Sequence, residues 1–516
     1  MSRSLFRRLQ RRYGSRVAPH DRDRQLAAHE SRFARLLPYR LTTARLPSSP
    51  GRSLRVAVIG GGFAGLAAAS ALQNMGCTVT LFEARANIGG RVESTSSFIS
   101  HRILERGAEL IGRNHLTWIY LARELGLGLS VITTDDEYDG MRLAQPLRIG
   151  GRELAESEAR NLFASMERAM DDLTSRASVI TDDILLEPWQ AHNAAGLDRE
   201  TVGSWIRTRA PNTRLQEALN FEFANNMATA TEQQSLLGIL AQIAAGGRDL
   251  YWTQTEVYRC EDGNASLAYK LILRMEANQP RVTIRLGAQV TAIAQEAGDL
   301  RVYSVEGQWL NLRANSMLCD YVVLAVPPSV WRAIEVNGAP LVGPHVQLGP
   351  AVKYFAHLSR RFWIANRRAP SAVDTQFGGV WEGTDNQMGT ENVDLTVFAG
   401  GPCAQAVTGD PEAYFNRGIN QLFDGFNRHY VHHRVQESYA NWPREPHIMA
   451  GYSCPAPGEV TGVIRQMNET PLLGKIFFAG EHVSPGFFGY MEGALQSGIA
   501  AAYRIAQASN IRIPLI

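Results

Sequence analysis

Two short stretches hold residues whose types and spacing suit nucleotide chemistry. Gly60, Gly62 and Gly65 stand as G-x-G-x-x-G, with Phe63 and Ala64 between the last two glycines. Glu83 follows eighteen residues after Gly65, then Ala84 and Arg85, then Gly89, Gly90 and Arg91. Glycines let a diphosphate approach the backbone, a helix N-terminus offers N–H donors and positive charge, and an acid at this spacing accepts hydrogen bonds from ribose hydroxyls. A carboxylate there argues against a 2′-phosphate. The first motif alone does not separate NAD from FAD. A second glycine loop with a guanidinium suits a longer, flavin-bearing diphosphate.

The elements that must position these groups are legible. "LRVAVI" (Leu54 to Ile59) is a β-branched run of the buried parallel-strand type. "LAAASALQNMG" has helical propensity and stops at Gly76, and "TVTLFE" is a second strand ending on Glu83. Strand, glycine turn, helix, strand and acid come in the order a dinucleotide fold requires.

The chain has 516 residues, 45% hydrophobic and 20% charged, which predicts a globular protein of more than one lobe. No apolar run has the length of a membrane span. Residues 1–50 carry twelve arginines against Asp21, Asp23 and Glu30. Such a basic arm suits an acidic surface, another subunit or nucleic acid, but an ordered or frayed extension is the expected reading, and no nucleic-acid partner is expected. Arg7-Arg8 and Arg11-Arg12 lack a following apolar segment, so no export signal is expected. Cys77, Cys260, Cys319, Cys403 and Cys454 are scattered, which suggests no disulfide framework or zinc site and fits a cytoplasmic location. His429, His432 and His433 have helical spacing; with no acidic or cysteine partner nearby they read as a solvated helix face, and no metal site is expected.

The glycine and Glu83 motifs, together with "KIFFAGEHVSPGFFGYMEGALQSGIAAA" (Lys475 to Ala502), resemble the FAD-dependent amine oxidase superfamily. The resemblance covers about residues 54–508. It implies an α/β (α+β two-lobed) fold: a Rossmann-like FAD-binding domain with a discontinuous substrate domain of mixed sheet plus helices. It implies that Gly480 and Glu481 meet the cofactor's diphosphate region and that Tyr490, Met491 and Glu492 lie at the flavin ring. A helix N-terminus would then face the flavin, where it stabilises negative charge. "ERGAELIG" (Glu105 to Gly112) resembles the family's small-residue turn beside the flavin, which brings in Gly107, Ala108 and Glu109. The Val290 region would contact adenine through its backbone. Lys353, one of only three lysines, matches the family's flavin-facing lysine, which holds a water near N5. Lysine's compact ammonium suits that task better than arginine's fork.

There are departures. "IMAGYSCPAPG" places Tyr452 where some relatives attach flavin to cysteine, so the FAD is expected to be non-covalent. Tyr490 matches one wall of the family's aromatic cage, Tyr452 or Ser453 stands near the other, and Trp442 is a further candidate. Many L-amino-acid oxidases place an arginine three residues after the turn glycine; here that residue is Leu110, with Arg113 three further on. Glu109, Trp381 and Glu382 are candidates for the substrate pocket.

The expected domains are 1–53 (basic extension), 54–135, 257–335 and 446–516 (FAD-binding), and 136–256 and 336–445 (substrate). Residues 154–250 read as mostly helical, with "LLGILAQIAA" (Leu236 to Ala245) amphipathic, residues after Val282 as antiparallel strands, and about Pro411 to Tyr430 as a helix. The favoured activity is oxidative deamination of an L-amino acid, with hydride transfer to flavin N5 and reoxidation by dioxygen to hydrogen peroxide. The alternatives are a monoamine or polyamine oxidase, or an amino-acid monooxygenase that yields an amide. A flavin-bearing scaffold and an NAD-dependent dehydrogenase are the readings from other classes. Self-association into a homodimer is left open.

Overall fold

The protein is described by a computed structural model covering residues 3–15, 18–36, 53–132, 137–138, 140–307, 312–341, 343 and 345–511. Five parallel strands form the central sheet of the first lobe, in the order Thr283–Leu286, Thr78–Glu83, Arg55–Ile59, Tyr321–Leu324, Ile476–Phe478. Apart from the edge strand Thr283–Leu286 and the strand starts, their residues are buried on both faces, as a sheet covered by helices requires. Two helices lie against it: Phe63–Asn74, which opens on the glycine turn, and Met491–Ala508, which closes the chain. They approach very closely. A Cβ on Gly498 would stand 2.1 Å from the Ala64 carbonyl oxygen, so only glycine permits the contact.

The second lobe is built on a seven-stranded sheet, in the order Tyr439–Asn441, Ala351–Arg360, Glu391–Gly400, Gly378–Glu382, Ala372–Asp374, Leu147–Ile149, Arg152–Glu153. Its strands come from two separate stretches of chain. Helices pack against it. In Glu156–Arg176 the residues Ala159, Leu162, Phe163, Met166, Ala169, Met170 and Leu173 form one buried face with helical spacing.

Four local expectations change. Thr283–Leu286 joins the parallel sheet, because its chain returns beside Thr78–Glu83; the antiparallel strands begin only at Ala288. Leu236–Ala245 is buried all round rather than amphipathic, because helices surround it. The helix from Pro411 ends at Leu422, and Gly425 adopts a left-handed conformation just beyond. His429, His432 and His433 therefore share no helix face. His432 approaches Glu412 at 2.7 Å, and His433 approaches His357 at 2.7 Å.

The described part of the basic extension takes one of its two expected forms. Residues 37–52 lie outside the described residues, but Leu5–Tyr13 forms a helix set into the second lobe. Leu5, Phe6 and Leu9 belong to the main hydrophobic core. Arg8 is fully buried and donates to the Arg3 carbonyl at 2.8 Å, Ser371 Oγ at 2.6 Å, the Ala372 carbonyl at 3.0 Å and the Val380 carbonyl at 2.9 Å. The Phe6 N–H donates to Glu222 Oε2 at 2.9 Å. Of the two expected forms, ordered or frayed, the described part is ordered, and the apolar residues between the arginines decide the burial.

Two stability predictions follow from this packing. Phe6 lies 6.0 Å from Phe163 and 5.6 Å from Trp252 between ring centroids, so Phe6→Ala should cost about 3 kcal/mol, seen as a lower midpoint in chemical denaturation. Gly498→Ala should lower the thermal midpoint by overpacking, a cost of about 1–3 kcal/mol, and release FAD below the unfolding temperature.

Candidate functional site

One cavity of about 650 Å³ runs between the lobes. Its first end is made by the glycine turns. Gly60, Gly62, Phe63, Ala64, Glu83, Ala84, Arg85, Gly89, Gly90 and Arg91 all line it. Gly62 caps the helix Phe63–Asn74 without a side-chain bond, which leaves the first-turn N–H groups for a ligand. Gly65 does not face the cavity. A Cβ there would lie 1.9 Å from the Gly60 carbonyl, so its role is to let helix and strand meet.

Glu83 accepts the Gly61 N–H at 2.7 Å and the Arg85 N–H at 2.8 Å, so the acid shapes both the turn and the loop after the second strand. The Gly89 N–H donates to the Gly61 carbonyl at 2.9 Å, joining the two glycine loops. Val290 lines the same end.

The middle of the cavity joins distant parts of the chain. Arg91 Nη1 pairs with Glu481 Oε1 at 2.8 Å and donates to the Gly451 carbonyl at 2.8 Å. Glu481 Oε2 accepts Ser453 Oγ at 2.6 Å and the Gly489 N–H at 2.6 Å. Burial alone would raise this carboxyl's pKa, but Arg91 and the other donors hold it below the usual range. Gly107, Ala108, Gly480, Met491 and Ala494 complete this section. A Cβ on Gly107 would lie 1.9 Å from the Arg91 carbonyl. Trp442 lines the cavity, packs on that turn and donates from Nε1 to the Arg106 carbonyl at 3.0 Å.

The other end is lined by Lys353, Trp381, Tyr452 and Tyr490. Lys353 sits on the strand Ala351–Arg360 and is 6 % exposed. Its Nζ donates to the Glu105 carbonyl at 3.0 Å and pairs with Glu109 Oε2 at 2.6 Å. Glu109 also accepts from Trp381 Nε1 at 3.0 Å and pairs with Arg259 at 2.5 Å. Its burial favours the neutral acid; Lys353 and then Arg259 overcome that and hold the pKa at about 2. Glu109 is thus an anion already committed to protein cations, not a hook for substrate.

Tyr452 and Tyr490 both line the cavity. Tyr452 donates to the Asn226 carbonyl at 2.8 Å and Tyr490 to Glu256 Oε1 at 3.2 Å. Burial first, and Glu256 next, push both phenols well above their ordinary pKa. Tyr452 thus lines the same cavity as Tyr490.

Three expected residues do not reach the cavity. Arg113 lies 5.2 Å from the Tyr258 ring centroid, and its backbone N–H is tied to the Gln254 carbonyl. Glu382 pairs with Arg361 at 2.7 Å, because strand alternation turns it away from the side of Trp381. Glu492 accepts the Thr117 N–H at 2.8 Å and the Trp118 N–H at 2.9 Å, capping another helix. Sequence reasoning missed Glu256, Arg3, Phe221, Asn225 and Phe398, which line the cavity. None stands in a motif; only the positive φ of 63° at the non-glycine Glu256 marks it, and that needs coordinates.

The donor set fits FAD: two glycine loops and a free helix N-terminus for the diphosphate, Glu83 for a ribose, and a wide inner section bounded by Gly107 and Lys353. None of the five cysteines lines the cavity, in keeping with non-covalent FAD. Among the described residues no helix is long and apolar enough to cross a membrane.

The pattern that defines flavin containing amine oxidoreductases matches residues 63–506. Nicotine dehydrogenase of Pseudomonas putida is 23% identical over 464 residues, covering 88% of each chain. Flavin-containing amine oxidase A of Sus scrofa is 22% identical, covering 89% of this chain and 86% of its own. Polyamine oxidase 2 of Arabidopsis thaliana is 24% identical, covering 87% and 88%. Among solved structures, a double mutant of putrescine oxidase superposes with a TM-score of 0.72 at 20% identity, over 88% of this chain and 100% of that one. Cyclohexylamine oxidase from Brevibacterium oxydans gives 0.70 at 21%, over 89% and 100%. With both ends of the chain closing on one cavity and the family's pattern running through nearly all of it, the chain belongs to the flavin-containing amine oxidoreductases, and its cofactor is FAD.

Proposed function

We propose that this flavin-dependent amine oxidoreductase deaminates a small amine without an α-carboxylate, using dioxygen as acceptor. The observation that carries this reading is the make-up of the substrate end. Tyr452 and Tyr490 present aromatic walls, Glu256 adds a carboxylate beside them, and Leu110 stands where the family's amino-acid oxidases place an arginine. Aromatic faces with a carboxylate attract an ammonium and offer nothing to a carboxylate. The names of the relatives, among them nicotine, putrescine and cyclohexylamine, support the same class. One observation favours the L-amino-acid reading as the second: Arg3 lines the cavity, although it is paired with Asp385 at 3.0 Å.

When bound, FAD accepts hydride at N5 and passes two electrons to dioxygen. The amine loses hydride from carbon and a proton from nitrogen, leaving an imine that water hydrolyses to a carbonyl product and ammonia; dioxygen becomes hydrogen peroxide. The residues of this chain act by placement. The tyrosine pair and Glu256 draw in the ammonium and hold its carbon toward the flavin side. Lys353, fixed by Glu109 and the Glu105 carbonyl, offers a cation and an N–H donor at the centre of the cavity. Positioning of this kind accounts for a large share of catalysis in hydride transfer. The free, buried cysteines suit a reducing compartment, and we place the enzyme in the cytoplasm.

Anaerobic addition of simple amines and of the twenty L-amino acids to the yellow holoenzyme tests the reading. Simple amines should bleach the flavin, and air should restore the colour with release of peroxide. Bleaching by amino acids alone would transfer the assignment to the second reading. Glu256→Gln should raise KM for the best amine about tenfold, worth about 1.4 kcal/mol, with FAD content unchanged. An unaltered KM would remove Glu256 from substrate recognition.

A further inference from the structure

The substrate end is joined to the N-terminal helix by charged side chains of alternating sign. Lys353 pairs with Glu109 at 2.6 Å, Glu109 with Arg259 at 2.5 Å, Arg259 with Asp385, and Asp385 with Arg3 at 3.0 Å. All five are between 6 and 8 % exposed. Trp381 ties the two ends together again. Its Nε1 donates to Glu109, Lys353 Nζ lies 5.8 Å from its ring centroid, and Arg3 Cζ lies 5.9 Å from it.

We propose that Arg3, carried by the N-terminal helix, is a positioning residue of the active site that acts through Asp385, Arg259 and Glu109 to fix Lys353. This rests on the reading that Lys353 faces the flavin. In a buried ladder each anion is shared between two cations, so the strength of one pair depends on the next. With Arg3 removed, Asp385 keeps only Arg259 from this ladder. The guanidinium of Arg259 then shifts toward Asp385 and leaves Glu109 to Lys353 and Trp381. Glu109 draws on the lysine more strongly, and Nζ moves from the place where it serves the flavin.

The anchoring of Arg3 supports the role. Its carbonyl accepts from buried Arg8 at 2.8 Å, and Arg8 is held in turn by Ser371, by the Val380 carbonyl on the strand of Trp381 and by the Ala372 carbonyl on the neighbouring strand. Glu222 fixes Phe6 three residues on. An arm that only filled a surface groove would need neither a buried arginine clamp nor an ion pair reaching the cavity wall.

Arg3→Met, Arg3→Lys, Lys353→Met and the Arg3→Met/Lys353→Met double variant, each purified as holoenzyme, test the proposal. The readouts are FAD content, the rate constant for dioxygen with photoreduced enzyme, and the flavin midpoint potential. Arg3→Met should retain FAD, slow the dioxygen reaction at least fivefold, and move the potential in the same direction as Lys353→Met. Arg3→Lys should recover at least half of the rate. The double variant should match Lys353→Met within twofold, since residues acting through one network are not additive. A rate within twofold of wild type in Arg3→Met, or effects that multiply in the double variant, would overturn the proposal. If Lys353→Met itself leaves the dioxygen rate unchanged, the placement of Lys353 and the role of the ladder fall together; if Lys353→Met is slow and Arg3→Met is not, the ladder alone falls. Should Arg3→Met fail to hold FAD, Asp385→Asn is judged by the same readouts, and loss of FAD there too assigns the ladder to folding alone and overturns the proposal.

Discussion

A single carboxylate holds the halves of the cofactor cavity together. Glu481 comes from the last segment of the chain, and it receives Arg91 from the first glycine region, Ser453 from the strand region before it, and the Gly489 N–H from the loop that leads to Tyr490. A buried anion is costly unless its lone pairs are filled, and here several donors converge on it. That requirement ties four stretches of polypeptide to one point. The tyrosine side of the cavity, the turn at Gly107 and the start of the closing helix all take their places from it.

Electrostatics then divides the cavity into sections with different tasks. At the diphosphate end, backbone N–H groups line the wall beside Arg85 and Arg91, whose guanidinium groups pair with Glu93 and Glu481. At the substrate end the formal charges are already paired: Lys353 with Glu109, Arg3 with Asp385. Glu256 lies beside the aromatic walls and accepts from Tyr490. The same residue types thus serve opposite ends, and their partners decide which charge a ligand meets.

The N-terminal helix shows what composition leaves open. Twelve arginines in fifty residues predict a basic extension, ordered or frayed, and do not say which. Leu5, Phe6 and Leu9 lie on one face and are buried, so the helix docks apolar side first and takes Arg3 and Arg8 with it. Neighbours 363 to 382 positions away then accept the guanidinium donors. Partners so remote leave no trace in local spacing.

The sequence by itself determined the cofactor end, because those requirements are local. A diphosphate beside a backbone demands glycines at short, regular spacing, an acid must end the next strand, and a buried parallel strand must be apolar on both faces; Gly60, Gly65, Glu83 and the strands around them obey these rules within thirty residues. Lys353 and Tyr490 were legible through resemblance, and the structure brings both to one cavity. Only the tertiary structure decided the substrate end. Whether Arg113, Glu109, Glu382 or Glu256 meets a ligand depends on which cation or ring each side chain finds across the fold, and that is set by packing between segments 21 to 234 residues apart. Electrostatic pairing acts through space, and sequence separation carries no measure of it.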